Sequence, residues 1–165
     1  MAVTTQHIKD WLVICEILEG CGESIDLDIK VVDGRLWVYD DTRNKWLSAD
    51  RLTATAGRSG RAKNIYLRIK DGQSCNLTGY RLPRNATITA VAAQTRGNET
   101  WTLRVRKNGD SSDLTSLVMT NVAGAHDTTV DVDLDEGDRV QFYAETTTFF
   151  GVKDPFIHIE IAWRE

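Results

Sequence analysis

The stretch Asp131-Val132-Asp133-Leu134-Asp135-Glu136-Gly137-Asp138 is the densest run of oxygen donors in the chain. Alternating carboxylates that end in a glycine turn suit a hard cation such as calcium, which needs several oxygens converging at ~2.3–2.6 Å. The spacing argues against this. The EF-hand pattern places glycine directly after its third acidic position, and here Glu136 intervenes. A period-two strand also aims Asp131, Asp133 and Asp135 in parallel along one face at ~6–7 Å intervals. These carboxylates are therefore expected to face solvent or the arginines of a partner, and no metal site is assigned.

Other chemistry is equally thin. The three histidines, His7, His126 and His158, lie in unrelated segments, with no H-E-x-x-H and no His/Cys pair at ligand spacing. No G-x-S-x-G elbow, phosphate loop or G-x-G-x-x-G occurs. His158 falls on the polar side of a strand pattern and is read as a surface or interface residue, since a histidine catalyst needs an orienting partner. Cys15, Cys21 and Cys75 are an odd number without metal-like spacing, so free thiols are expected, with a Cys15–Cys21 bridge the alternative. The expectation is a protein that is not an enzyme and has no cofactor.

Binding residues are easier to find. The formal net charge of -4 gives no basic field for nucleic acid. A local basic stretch runs through Arg51, Arg58, Arg61, Lys63, Arg68 and Lys70 to Arg81 and Arg84, and could meet a phosphate or an acidic protein surface. Phe149-Phe150-Gly151 lies between strands, where two adjacent aromatics cannot both point inward, so an exposed phenylalanine marks an interface. The candidate partner-binding set is Arg51, Arg58, Arg61, Lys63, Phe149 and Phe150. Tyr80, Trp101 and the two phenylalanines could also form a sugar-stacking platform, although Trp101 fits the inward pattern. Three N-x-T triplets, at Asn76, Asn85 and Asn98, are read as chance. The longest apolar run, Trp11 to Cys15, is far short of the roughly 18 residues that span a bilayer, so no membrane partner is expected. The N-terminus also lacks the basic, apolar and small-residue segments of a secretion signal.

The elements that must carry these residues are strands. Residues 6–19 fit a short helix by the spacing of Ile8, Trp11, Leu12 and Cys15, and a buried strand by Val13, Ile14 and Ile17. From Ser24 the period is two, and Asp33-Gly34 predicts a hairpin into Leu36-Trp37-Val38-Tyr39. The polar run 40–44 turns the chain again into Lys45-Trp46-Leu47, completing a small β-meander that needs a covering surface. Residues 48–64, with their small residues, glycines and arginines, read as a basic linker or arm. Residues 1–57 are thus taken as an N-terminal extension and 58–165 as the main domain. There, six to eight strands at ~8–15-residue spacing with no convincing helix predict an all-β, jelly-roll-like antiparallel sandwich. The last strand, with Ile157, Ile159, Ile161 and Trp163 on one side, is expected at its centre.

The order Arg61-Ala62-Lys63-Asn64-Ile65-Tyr66-Leu67-Arg68, Gly79-Tyr80-Arg81-Leu82-Pro83-Arg84-Asn85-Ala86-Thr87-Ile88, Trp101-Thr102-Leu103-Arg104-Val105-Arg106-Lys107-Asn108 and Glu160-Ile161-Ala162-Trp163-Arg164 resembles small jelly-roll virion proteins of tailed phages, including those of cyanobacteria. The resemblance covers about residues 58–165, and the first 57 match no family. It implies a structural role without catalytic positions: a head decoration (cement) protein that bridges neighbouring major capsid proteins on the virion surface, usually as a homotrimer. In that picture residues 1–60 contact the shell and the sandwich forms the knob. The alternative it implies is a tail-fibre module that recognises host surface glycan. A C1q-like extracellular ligand is disfavoured by the missing signal and stalk.

Overall fold

The computed structural model describes residues 29–69, 73–76 and 78–165, and among these every regular element is a strand. The helix-or-strand question over residues 6–19, the strand start at 24–28, His7, Cys15 and Cys21 lie outside the described residues. In chain order the strands are β1 (Ile29–Val32), β2 (Arg35–Asp40), β3 (Lys45–Gly57), β4 (Arg61–Ala62), β5 (Ile65–Tyr66), β6 (Arg68–Ile69) and β7 (Gln73–Ser74). They continue with β8 (Tyr80–Arg81), β9 (Ala86–Lys107), β10 (Asp113–Asp127), β11 (Val132–Leu134), β12 (Arg139–Glu145), β13 (Val152–Lys153) and β14 (Phe156–Arg164).

All pairings are antiparallel, and the long strands β9 and β10 fold the main sheet over into two layers. In the first layer β3, β14 and the first half of β9 lie side by side, with β1 and β2 beyond β3. In the second layer the latter half of β9 lies between β12 and the start of β10. Register breaks along the β9–β10 ladder, between Met119 and Gly124, mark where the pair bends. The fold is the expected jelly-roll-like, all-β sandwich.

Alternation builds its core. Ile157, Ile159 and Ile161 of β14 are fully buried while Phe156 and His158 point out. From the other layer Leu103, Val105, Val140 and Phe142 meet them in one apolar cluster. Each such side chain stabilises the fold by about 1.5–3 kcal/mol. β14 pairs with β3 on one side and β9 on the other, so the terminal strand is central, as its pattern suggested. The thiol of buried Cys75 lies in this core, pushed up by burial and bonded both ways to the Phe142 backbone, at 3.1 and 3.3 Å.

One expectation is overturned. Residues 48–57 are not linker: they continue β3, and each of Arg51 to Gly57 pairs with β14. Ala54 and Ala56 are small because Ile159 and Ile157 stand opposite them, and buried large residues need small neighbours to fill the layer without strain. The β-meander therefore joins the sandwich directly through β3. Its first turn is as predicted: Asp33 and Gly34 both take positive φ, 52° and 74°, the geometry of a tight two-residue hairpin.

Arg43, in the turn after β2, holds the meander down. Its guanidinium donates to the Val130, Thr89 and Thr128 carbonyls at 2.8–2.9 Å and to the Asp40 carboxylate at 2.7 Å. Burial alone would raise the Asp40 carboxyl, but the Arg43 bonds outweigh it and hold it below its ordinary value. Asp133 and Asp138 are likewise lowered against their burial, Asp133 by Lys45 and Thr87, Asp138 by the Asp135 amide, Asn108 and Lys107. Because the folded values lie below the unfolded ones, the unfolded chain takes up protons first as pH falls. The stability from these groups is whole above about pH 4 and is lost as pH drops through the lowered values. Urea midpoints measured from pH 7 to pH 2 should hold level and then fall below about pH 4.

Candidate partner-docking site

The six predicted partner residues do not all meet. Arg61–Ala62 and Val152–Lys153 form a small two-stranded ladder, in which Val152 pairs with Ala62 and Lys153 with Arg61. At its foot the Gly60 amide donates to the Asp154 carboxylate at 2.6 Å, and the Asp154 amide donates to the Gly60 carbonyl at 2.7 Å. The loop from Thr146 to Gly151 crosses the end of this ladder. It is fixed by the Thr146 amide on Asn64 Oδ1 (3.0 Å), the Thr146 hydroxyl on the Thr100 carbonyl (2.9 Å), and the Thr148 amide on the Thr146 hydroxyl (3.2 Å).

Gly151 closes the loop at φ 75°, and a Cβ placed on it would stand 2.6 Å from the Ala62 carbonyl oxygen. A side chain there meets both a disfavoured backbone conformation and a backbone atom that cannot yield. Gly151→Ala should lower stability by about 1–3 kcal/mol. A thermal melt with a lower midpoint than wild type is the check.

Held this way, both phenylalanines project. Phe149 is 82% exposed and Phe150 71%, with ring centroids 5.1 Å apart and planes near perpendicular. The Arg61 guanidinium lies 5.6 Å from the Phe150 ring centre and donates to the Gly151 carbonyl at 3.0 Å. The Lys63 ammonium lies 5.6 Å from the Phe149 ring and reaches the Phe149 carbonyl at 3.5 Å. Two bare aromatic faces are thus each backed by a cation. Such a surface can fill an apolar pocket whose rim carries carboxylates.

Arg58 stands at the base of this knob, its amide on the Pro155 carbonyl at 3.0 Å. Arg51 does not belong to it. Extended β3 carries it some seven residues away, roughly 24 Å along the strand at ~3.4 Å per residue. There it pairs with Glu160 at 3.4 Å and bonds the Ser48 carbonyl. The sugar platform is also dismantled: Trp101 is buried, and Tyr80 packs edge-on to Phe142 with its hydroxyl on the Thr55 carbonyl at 2.9 Å.

Asp131, Asp133 and Asp135 are exposed to solvent, as expected, and cations of the same chain pair with them. Lys45 bridges Asp131 and Asp133 at 2.7 and 2.8 Å, and Arg164 sits 3.5 Å from both Asp133 and Asp135. Asp138 turns inward to Asn108 (2.6 Å), Lys107 (3.1 Å) and the Asp135 amide (3.0 Å). Among the described residues no three His, Cys, Asp or Glu side chains are grouped to hold an ion.

No protein-family model matches the chain, and no curated protein sequence matches it. Among solved structures it is similar to the nucleoplasmin-like N-terminal domain of Drosophila FKBP39 (TM-score 0.38, 11% identity, 71% of this chain and 92% of that one). The Tobacco streak virus coat protein dimer aligns comparably (TM-score 0.38, 12% identity, 70% and 86%). A Podospora anserina GH26-CBM35 β-(1,4)-mannanase aligns over 70% of this chain and 28% of its own (TM-score 0.34, 8% identity). At these scores the likenesses decide neither function nor partner.

Proposed function

We propose that this chain is a non-catalytic virion structural protein, a capsid decoration protein that docks its Phe149–Phe150 knob into neighbouring major capsid proteins. The observation that supports this reading most is the knob itself. Soluble surfaces seldom leave two adjacent phenylalanines this exposed on a fixed loop unless something covers them. Arg61 and Lys63 set the partner's chemistry: an apolar recess rimmed by acidic side chains. The resemblance of residues 58–165 to jelly-roll phage proteins supplies the class of partner and the expectation of several copies acting together. Modest contacts per copy then add through effective concentration.

Co-sedimentation with undecorated heads tests it. The wild-type chain should pellet with heads and not with host cells. The Phe149→Ser/Phe150→Ser double variant should bind heads about a hundredfold or more weakly, since buried aromatic anchors cost 2 kcal/mol or more each when truncated. Raising the salt should weaken wild-type binding further by screening Arg61 and Lys63. Binding to cells and not to heads would instead favour a tail module that recognises surface glycan.

A further inference from the structure

The two outer faces of the sandwich are built differently. On the second layer, Arg104 pairs with Glu145 and Asp113, and Arg106 with Asp113 at 2.9 Å while lying 4.1 Å from the Tyr143 ring. That is a wet face, as the outward side of an antiparallel sheet should be. Among the described residues no ion pair crosses the two rows at the middle of the first layer. One cross-strand row there reads His126–Ala92–His158–Thr55, and the next reads Gly124–Gln94–Phe156–Gly57. Glu160, one row on, is already tied to Arg51 and to the Thr89 hydroxyl at 2.6 Å. Phe156 stands 51% exposed and lines a recess of about 440 Å³ together with Ala92, Gly124 and the two histidines.

We infer that this face, centred on Ala92, is where copies of the chain pack against one another. It carries a projection, Phe156, next to a hollow large enough for a phenyl ring, so an identical face can give and receive the same ring. Its two central rows carry no Asp, Glu, Lys or Arg. Two like faces therefore do not repel, whereas an outside partner of either sign finds nothing to select. Ala90, Ala92 and Gly124 keep the backbone within reach of an approaching sheet. This deepens the reading above, which needs several copies acting together, and it uses a surface distinct from the knob.

Sedimentation of the full chain over a range of concentrations is the test. The wild type should self-associate reversibly. Ala92→Arg and His158→Glu, which place a charge at the centre of the face, should each weaken association by about a hundredfold or more while far-UV spectra stay native. His158 is exposed, so its variant decides the matter should Ala92→Arg fail to fold. Phe149→Ser/Phe150→Ser should sediment like wild type even where it no longer binds heads. A wild type that is monomeric at every concentration, or a folded face variant that associates as tightly as wild type, overturns the inference. The head-binding result judges the knob separately.

Discussion

A chain that stops after Glu160 should yield no soluble folded product. The five residues removed include Ile161 and Ala162, both fully buried, and Trp163, which packs on the core. Losing a buried isoleucine costs about 2–5 kcal/mol by itself. The truncation also removes the Trp163 amide from Ser48 Oγ, the Arg164 amide from the Asn85 carbonyl, and Arg164 from Asp133 and Asp135. Both neighbours of β14 then lose a partner at once, since Ile161 pairs with Leu52 on β3 and with Ile88 on β9. Domains of this size hold only about 5–15 kcal/mol in reserve. Expression of residues 1–160 beside the full chain, followed by solubility and far-UV measurement, gives the answer. A soluble, cooperatively melting 1–160 product would show that β14 is not the axis of the fold.

Arg43→Ala should be the most damaging single substitution in the meander. Its side chain is only 11% exposed and serves four acceptors on three different segments. Truncation removes the shared donor of three carbonyls and leaves Asp40 without its counter-charge, at an expected cost of about 3–5 kcal/mol. Arg43→Lys should recover little, because an ammonium is a point charge that cannot span acceptors which the planar guanidinium reaches together. Denaturant unfolding measures the loss. Hydrogen exchange locates it: amides of β2 and the start of β3 should lose protection while those of β12 keep it.

Arg43 also shows what the residue pattern leaves out. In the sequence it is one polar residue in a turn, and its carbonyl acceptors lie 46 to 87 positions away. Turn signals were readable because they are local: Asp33-Gly34 and Asn108-Gly109 both take the positive φ that their side chains permit. The terminal strand was readable by alternation. β3 was not, because the residues that make Ala54-Thr55-Ala56-Gly57 resemble a linker are the ones that fit opposite the isoleucines of β14. β9 carries Gly97-Asn98-Glu99 midway, yet β10 pairs along both sides of that stretch and keeps it extended. At the knob, the adjacent phenylalanines were legible as an exposed feature. That Arg61 and Lys63 stand beside them, and Arg51 does not, depends on a ladder between segments about ninety residues apart.

The position of the knob ladder next to β14 has a mechanical consequence. β13 runs through Asp154 and Pro155 straight into β14, and the Arg58 amide on the Pro155 carbonyl ties the same point to the end of β3. A pull on the seated phenylalanines along this direction reaches a strand whose hydrogen bonds on both flanks lie crosswise to the load. They must shear together instead of peeling one by one, so the handle sits on the part of the sheet best placed to resist tearing.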